Sequence, residues 1–501
     1  MYGLRPATSL TGALDRGTAA DLYRVMRAYY ESNNLYDALA DLLRRQGISR
    51  EAIKPLRNPT YRVVEFYPSH LWPGTLPDAL PIMADKKRVI EPIEQVWKWS
   101  NWGAQKQVAA RQLALYGDFF IKVATTPAEA PQRVYLQMIE PEYVTDFDVD
   151  ERGYVIYCRV DTPRRRRRAD GSNEPYIHTE EWSRDENRFR VWEHQQSATV
   201  EIDQLGTPTV DVPITSFGID FVPISHAKFA DIGDLRGQPA ILPSLDKIDE
   251  ANRSVTRLHQ QLWRHNDVTW ALNGGVDGSG KPLPPPLVSG SDATTNENGY
   301  ITFGEEQFVA LPGNTELKSL VPDLNYAAAL SILQDHMGEL EQDLPELAWY
   351  RMRDNDLSGR AVRLLLAPAI ARLEEARGNA EAALVRADEM ALTIGKYHRL
   401  FRDSIGAYDR GDFEHAFEKR DVLPDDALER AQEQLANGTA LKAYVEAGMS
   451  MEMAVQEVLG WTPEKAAQFS VENLAAKDRE APEPEPMPVV VQPETVPAER
   501  L

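Results

Sequence analysis

The sequence predicts an α+β chain built from several packed units, and three observations carry that prediction. Its 501 residues exceed what one ordinary hydrophobic core organises. The first 235 residues mix helical and strand-like patterns. Three later segments, near 244–265, 321–343 and 358–401, keep apolar residues at three- and four-residue spacing, as amphipathic helices do.

Leu22, Val25, Met26 and Tyr29 share a helical face, and Leu35, Leu39, Leu42 and Leu43 repeat the pattern. TYRVVEFYPSHLWPG, rich in β-branched and aromatic residues, predicts a strand closed by a turn at Trp72-Pro73-Gly74. Residues 104–116 predict a helix ending at Gly117, a left-handed C-cap. DFFIKVATT predicts a strand, with further strands at 133–140, 143–149 and 153–160 and strand-like pieces between 175 and 230.

In the middle of the chain, Leu245, Ile248, Val255, Leu258 and Leu262 lie on one face of a helix from about Ser244 to His265, roughly 33 Å long. A Gly/Pro-rich stretch, 271–321, follows with two strand-like pieces, YITFG and QFVAL. A second helix then carries Tyr326, Leu330, Leu333, Met337 and Leu340. Between Val321 and Asp343 it holds Asp323, Asp335, Glu339, Glu341 and Asp343 and no Lys or Arg. Helix, small β excursion and returning acidic helix make a pin-like unit.

A short loop, ELAWYRMRDND, leads to the longest helical pattern, from Ser358 as N-cap to Phe401, with Leu364 and Leu365 among its apolar positions. Pro368 inside it predicts a kink or break. DFEHAFEKRDV predicts one more strand, with Phe413, His415 and Phe417 on one face. Short helices follow at 425–435, 439–447, 451–459 and 463–474, punctuated by Gly448 and Gly460. The proline-rich end predicts a disordered tail.

The formal charge of −22 argues against tight, sequence-reading DNA binding, yet an acidic lining lets DNA slide past without adhering. A single cysteine, Cys158, excludes an intrachain disulfide framework. No run approaches a membrane span and no secretory signal is visible, so cytoplasmic assembly is expected.

Gly275 to Lys281 imitate a phosphate-binding loop, but Pro282 stands where Ser or Thr would hold magnesium, so a flexible loop is expected. Asp146, Asp148 and Asp150 imitate a calcium loop, but Glu151 replaces its glycine and Tyr157 its final glutamate; an acidic strand edge is expected instead. Arg164 to Arg168 form a basic hairpin tip, which suits a solvated loop, a subunit contact or a nucleic-acid contact. Trp349, Tyr350, Arg351 and Arg353 combine flat rings with guanidinium groups that can touch a DNA backbone, and they equally suit an ordinary helix connection. No catalytic motif emerges, so no enzyme, metal or cofactor is expected.

The order of parts resembles portal proteins of tailed double-stranded-DNA bacteriophages, of the siphophage type. ALYGDFFIKV resembles the family's helix–Tyr-Gly–strand piece, and FVPISHAKFADIGDLRGQPAILPSLDKIDEANRSVTRLHQQL the approach to its first stem helix. LPDDALERAQEQLANGTALKAYVEAGMSMEMAVQEVLGWTPEKA resembles its helical crown. The resemblance spans residues 20–475 and implies an α/β wing over 1–236, stem helices at 237–266 and 322–343, and a small β-containing clip at 267–321. It further implies a tunnel loop at 344–357, a long kinked wing helix with a returning strand at 358–421, a crown at 422–474 and a tail at 475–501. It implies a dodecameric ring at one capsid vertex of the virion, passing double-stranded DNA without reading it. Large terminase, head-tail adaptor, major capsid and scaffold proteins are the implied partners, with no membrane. The tunnel loop would present Trp349, Tyr350, Arg351 and Arg353, and Asp335, Glu339, Glu341 and Asp343 would line the channel. The resemblance does not account for the arginine run. Another ring-forming head-tail connector is the neighbouring alternative, and a DNA-packaging enzyme a more distant one.

Overall fold

Burial spacing decides the first element that propensity alone misassigns. A computed structural model describes residues 19–32, 35–38, 55–126, 132–167, 171–195, 200–266, 270–273, 279, 281, 294–295, 301–302, 316–319, 326–351, 359–401, 405–422, 427–461, 463 and 465–471. Helix α1 (Ala19–Glu31) buries Leu22, Val25, Met26 and Tyr29 as expected, and α2 (Leu35–Ala38) follows; Leu39, Leu42 and Leu43 lie outside the described residues. The segment expected as a strand is instead helix α3 (Thr60–His70). Val63, Phe66, Tyr67 and His70 are all buried, and their i, i+3, i+4, i+7 spacing outweighs the β preference of the individual residues. Arg377 satisfies carbonyls at its C-terminal end, donating to His70 O at 2.8 Å and Leu71 O at 3.0 Å.

Helices α4 (Ile90–Trp99) and α5 (Trp102–Tyr116) follow the two-residue strand β1 (Ile82–Met83). Helix α5 ends at Gly117, which has φ +81° and donates its N–H to Leu113 O at 2.9 Å. A Cβ at Gly117 would stand 2.5 Å from Gly237 O, so the close crossing of these two segments demands glycine.

Strands β2 (Asp118–Thr125), β3 (Val134–Ile139) and β9 (Ile224–Lys228) form one antiparallel sheet in the order β3-β2-β9. Strands β4 (Val144–Val149), β5 (Val155–Arg167), β6 (Asn173–Ser183), β7 (Arg188–His194) and β8 (Val210–Pro213) form a five-stranded meander. Its register places Phe147, Cys158, Trp182, Phe189 and Val212 side by side across one face. On the other face Asp146, Arg159, Glu181, Arg190 and Asp211 form a row whose charge alternates at every strand. Within it Arg190 and Glu181 pair at 2.5 Å, Arg159 turns to Asp161 at 2.9 Å, and Asp211 accepts from Arg188 at 2.8 Å. A Lys122–Glu180 ion pair joins the two sheets, and Phe120 meets Phe147 edge-on at 5.1 Å.

Helix α6 (Leu245–Asn266) leads to strands β10 (Trp270–Asn273), β11 (Thr294–Thr295), β12 (Ile301–Thr302) and β13 (Glu316–Ser319). The β12 strand falls within YITFG, while QFVAL lies outside the described residues. Helix α7 (Tyr326–Asp343) returns, and α8 (Leu347–Arg351) replaces the start of the expected loop with a helical turn. Helix α9 (Gly359–Tyr397) is continuous through Pro368, so the expected break does not occur. Pro368 and Leu364, whose carbonyl loses its helical partner, are both exposed, where water can satisfy that oxygen. Leu366, Ala369, Leu373, Ala376, Ala380, Ala383, Ala387 and Ala391 make its buried seam, and the small side chains bring the helix close to β2 and β9. Ser225 Oγ accordingly reaches Ala383 O at 2.8 Å. The last strand of the region, β14 (Ala416–Phe417), pairs with β1.

The chain divides into two compact units, residues 1–422 and 423–501. In the second, α10 (Ala427–Glu446) fuses the two helices expected at 425–435 and 439–447. Gly438 meets nothing a Cβ would touch, and Thr439 Oγ1 bonds Leu435 O at 2.7 Å, so the helix continues past Asn437-Gly438. Helix α11 (Met451–Leu459) starts at Ser450, whose side chain accepts from Met453 N, and stops at left-handed Gly460. Residues 465–471 are helical, and Trp461 packs edge-on against Phe469 at 5.5 Å.

Gly117→Ala tests the crossing with the Gly237 segment. It should lower the free energy of unfolding by about 2–4 kcal/mol in chemical denaturation, from strain and displaced backbone together. A change under about 0.5 kcal/mol would show that the crossing is not close-packed.

Candidate functional site: a helix pair anchored on buried carboxylates

Helices α6 and α7 pack antiparallel, since Lys247 near the start of one meets Asp343 at the end of the other at 2.6 Å. The two-stranded ribbon β10–β13 continues the pair, with Trp270 opposite Ser319 and Asn273 opposite Glu316. Burial falls steadily outward along α6. Leu245, Ile248, Ala251 and Asn252 are fully buried, Val255 and Leu258 partly so, and Leu262 is exposed. Helix α7 follows more loosely: Leu340 at its inner end is fully buried and Leu333, two turns outward, is still buried, while Leu330 and Ile332 are 50% and 57% exposed. The pair is therefore held at one end.

Two carboxylates buried at that end do the holding. Asp249, on the inner face of α6, accepts hydrogen bonds from the hydroxyls of Tyr29 and Tyr36. One helical step on, Asn252 Oδ1 accepts from Arg57 N at 2.7 Å. Burial pushes the Asp249 carboxyl up to about 6, against the opposing pull of the two tyrosine hydroxyls. Glu346, just past α7, is fully buried and accepts from the Tyr67 hydroxyl. Its oxygens also receive Arg372 Nη1 at 2.8 and 3.0 Å. Burial raises the Glu346 carboxyl, and Arg372 opposes that rise. Arg372 also donates to Ala240 O at 2.7 Å and lies 5.7 Å from the Phe229 ring centre.

The residues singled out at the base are drawn into this joint. Trp349 meets His70 edge-on at 4.8 Å, and the Tyr350 hydroxyl donates to Arg62 O at 2.8 Å, so both rings pack on α3 while staying about one-third exposed. Arg351 pairs with Glu341. Arg353 lies outside the described residues. Of the four acidic stem residues, Glu339 and Asp343 share Lys247 at 4.0 and 2.6 Å, and Glu341 is taken by Arg351. Asp335 alone of the four is exposed with no ion-pair partner among the described residues. The compensating cations come from α6 and α8, which a reading of α7 by itself leaves out.

Sequence reasoning passed over Asp249, Glu346, Tyr67 and Arg372. A signal existed for the first, because Asp249 interrupts the stripe running from Leu245 and Ile248 to Asn252. Glu346 and Arg372 carry no such local mark; their partnership arises only when distant segments meet.

The other motifs resolve differently. Of the phosphate-loop imitation only Ser279 and Lys281 are described. Asp150 closes the β4–β5 turn, its Oδ1 accepting from Arg152 N and Tyr154 N at 2.9 Å each, while Asp146 and Asp148 sit on edge strand β4. Among the described residues no cluster of His, Cys, Asp or Glu is arranged to hold a metal, and no helix is long and apolar enough to cross a membrane. Arg164 to Arg167 are not a hairpin tip but ladder residues of β5, paired with Asn173 to Tyr176; Arg168 lies outside the described residues.

No family model matches the chain, and no curated protein matches it. Solved structures similar to it are components of gene transfer agent particles. One, from the virion of a native particle, is 15% identical, covers 91% of this chain and 100% of its own, and has a TM-score of 0.38. A second, from the neck of a native particle computed with C12 symmetry, is 14% identical over 90% of this chain and 99% of its own, with a TM-score of 0.40. A third, from the neck of an empty particle computed with C6 symmetry, is 15% identical over 86% and 94%, with a TM-score of 0.41.

Asp249→Asn checks the acid joint. The folded-state value near 6 lies above the unfolded value of about 3.9. The stability this raised value confers is therefore full below pH ~4 and lost as pH rises through 6. The melting temperature of Asp249→Asn minus that of wild type should climb between pH 4 and 6 and level off above. A flat difference would show that Asp249 titrates normally.

Proposed function

We propose that the chain is a portal subunit: a non-enzymatic component of a tailed phage-like particle that forms a dodecameric ring at one capsid vertex. The ring passes double-stranded DNA during packaging and ejection, and docks large terminase and a head-tail adaptor outside the shell. The supporting observation is the clamped helix pair that loses burial outward and continues into a β-ribbon, placed in the chain between a two-sheet body and a 39-residue helix. This order is the one that the sequence resemblance to portal proteins implies.

Exposed apolar side chains support the ring. Leu330 and Ile332 on α7 and Leu364 and Leu365 on α9 are about half exposed or more, and a neighbouring copy would cover them. In such a ring the stem passes DNA without gripping it, because α6 and α7 together carry seven carboxylates against four Lys and Arg and so keep a net acidic balance. Trp349 and Tyr350, seated on α3, and Arg351, paired with Glu341 of α7, would stand at the inner end of the passage as partly exposed flat and cationic groups. The energy for DNA movement would come from the terminase. Major capsid and scaffold proteins are the remaining partners in this reading.

Native mass spectrometry with negative-stain imaging tests the proposal, with an assembly near twelve subunits and an open channel as the expected result. Leu330→Glu with Ile332→Glu should shift that assembly to smaller species while circular dichroism stays unchanged. A wild-type chain that forms no ring even with capsid and scaffold proteins would overturn the reading.

A further inference from the structure

The arginine run is the feature that neither the fold nor the proposed function absorbs. Strand β5 is flanked by β4 only as far as Val160, and runs on through Arg167 with β6 as its sole partner among the described residues. Strand β7 leaves β6 at Ile177. Residues 164–167 and 173–176 are thus a two-stranded arm, and β5 reaches about 23 Å past the end of β4.

Arg164 to Arg167 are all exposed on this arm. Arg166 is satisfied locally by Glu193 and by the Tyr176 ring, 4.9 Å away. Arg164, Arg165 and Arg167 have no ion-pair partner among the described residues. Arg165 and Arg167 share one face, about 7 Å apart along the strand. An open groove of about 480 Å³, lined by Pro163, Pro175, Tyr176 and Gln195, runs beside the arginines. Pro163 removes a backbone donor from the free edge, so a partner here is held by side chains rather than by an added strand.

The same sheet offers the complement. Edge strand β4 exposes Asp146 and Asp148, again two residues apart on one face, and Glu151 is exposed in the turn beyond. None of the three has an ion-pair partner among the described residues. The charge excess makes copies of this chain repel one another in general, so a contact between copies needs a local patch of opposite sign.

We infer that the arginine arm of one copy docks on the acidic β4 edge of a neighbouring copy, Arg165 and Arg167 opposing Asp146 and Asp148. This contact deepens the ring reading and rests on it. The arm then sets which neighbour is accepted and in which register, while the apolar surfaces supply most of the adhesion.

Charge exchange tests the contact. Arg165→Glu with Arg167→Glu should raise the protein concentration needed for half-assembly by about tenfold or more at 0.1 M salt. High salt should narrow the gap. Adding Asp146→Lys and Asp148→Lys to the same chain should restore assembly, and circular dichroism should show every variant folded. Assembly of the doubly reversed arm at wild-type concentrations would overturn the contact, as would failure of the four-charge exchange to rescue a folded chain. Normal rings from the reversed arm that no longer retain duplex DNA would also overturn it, and assign the arm to nucleic acid. A wild-type chain that stays monomeric removes the ring reading and this contact together, whereas wild-type rings indifferent to the arm's charge remove only the contact.

Discussion

The Glu346–Arg372 pair, roofed by the Tyr67 hydroxyl, is the interaction on which the first unit depends. It joins α3, the segment just past α7, and α9, while the second arm of the guanidinium holds Ala240 O ahead of α6. Such a pair adds little net stability, because removing two charges from water costs about as much as their attraction returns. Breaking it is another matter, since one orphaned charge would cost roughly 3–5 kcal/mol. The pair acts as a specificity device: alternative arrangements of these four segments would strand a buried carboxylate. Asp249 repeats the principle on α6 with tyrosine hydroxyls in place of arginine, and both anchors sit at the inner end of the helix pair.

How much of this was legible in the sequence depended on whether the signal was local. Helices α1, α5, α6 and α11 follow from apolar spacing and glycine stops, and Gly117 declares its own helix end. The error at α3 came from weighing Val63, Val64 and Tyr67 as strand formers when their spacing already matched a helix packed on one side. Pro368 misled because its cost depends on exposure, which only the packed helix reveals. Asn437-Gly438 misled for a similar reason, since nothing packs there to turn the chain. At the candidate site, the helix pair and its acidic residues were visible, but the neutralising roles of Lys247 and Arg351 were not. Their partners lie far along the chain or in another helix, and no periodicity encodes that.

The five-stranded sheet shows the same divide between local and distant information. Taken alone the strands alternate apolar and polar residues only in part, as Glu180-Glu181 in β6 and Val191-Trp192 in β7 show. Only the register reveals that one face carries an unbroken apolar row and the other a row of alternating charge. A slip of one residue would push each row to the wrong face and set charges against the core, so the charge pattern reinforces what hydrophobic burial already selects. The charged row ends at Asp146 and Asp211 on the two edge strands, leaving that face of the sheet with acidic margins that resist indiscriminate edge pairing.

The helix pair, fixed at its base and less buried outward, behaves within one copy as a cantilever. A beam of this kind converts small rotations at the clamp into larger displacements at the tip: tilting the roughly 33 Å helix α6 by about 5° moves its far end by about 3 Å. The strain of such a tilt falls first on the groups around Asp249 and Glu346, where the pair is most deeply buried. Whatever binds at the tip is thus coupled by leverage to two buried carboxylates, and a load applied there is felt first at the hinge.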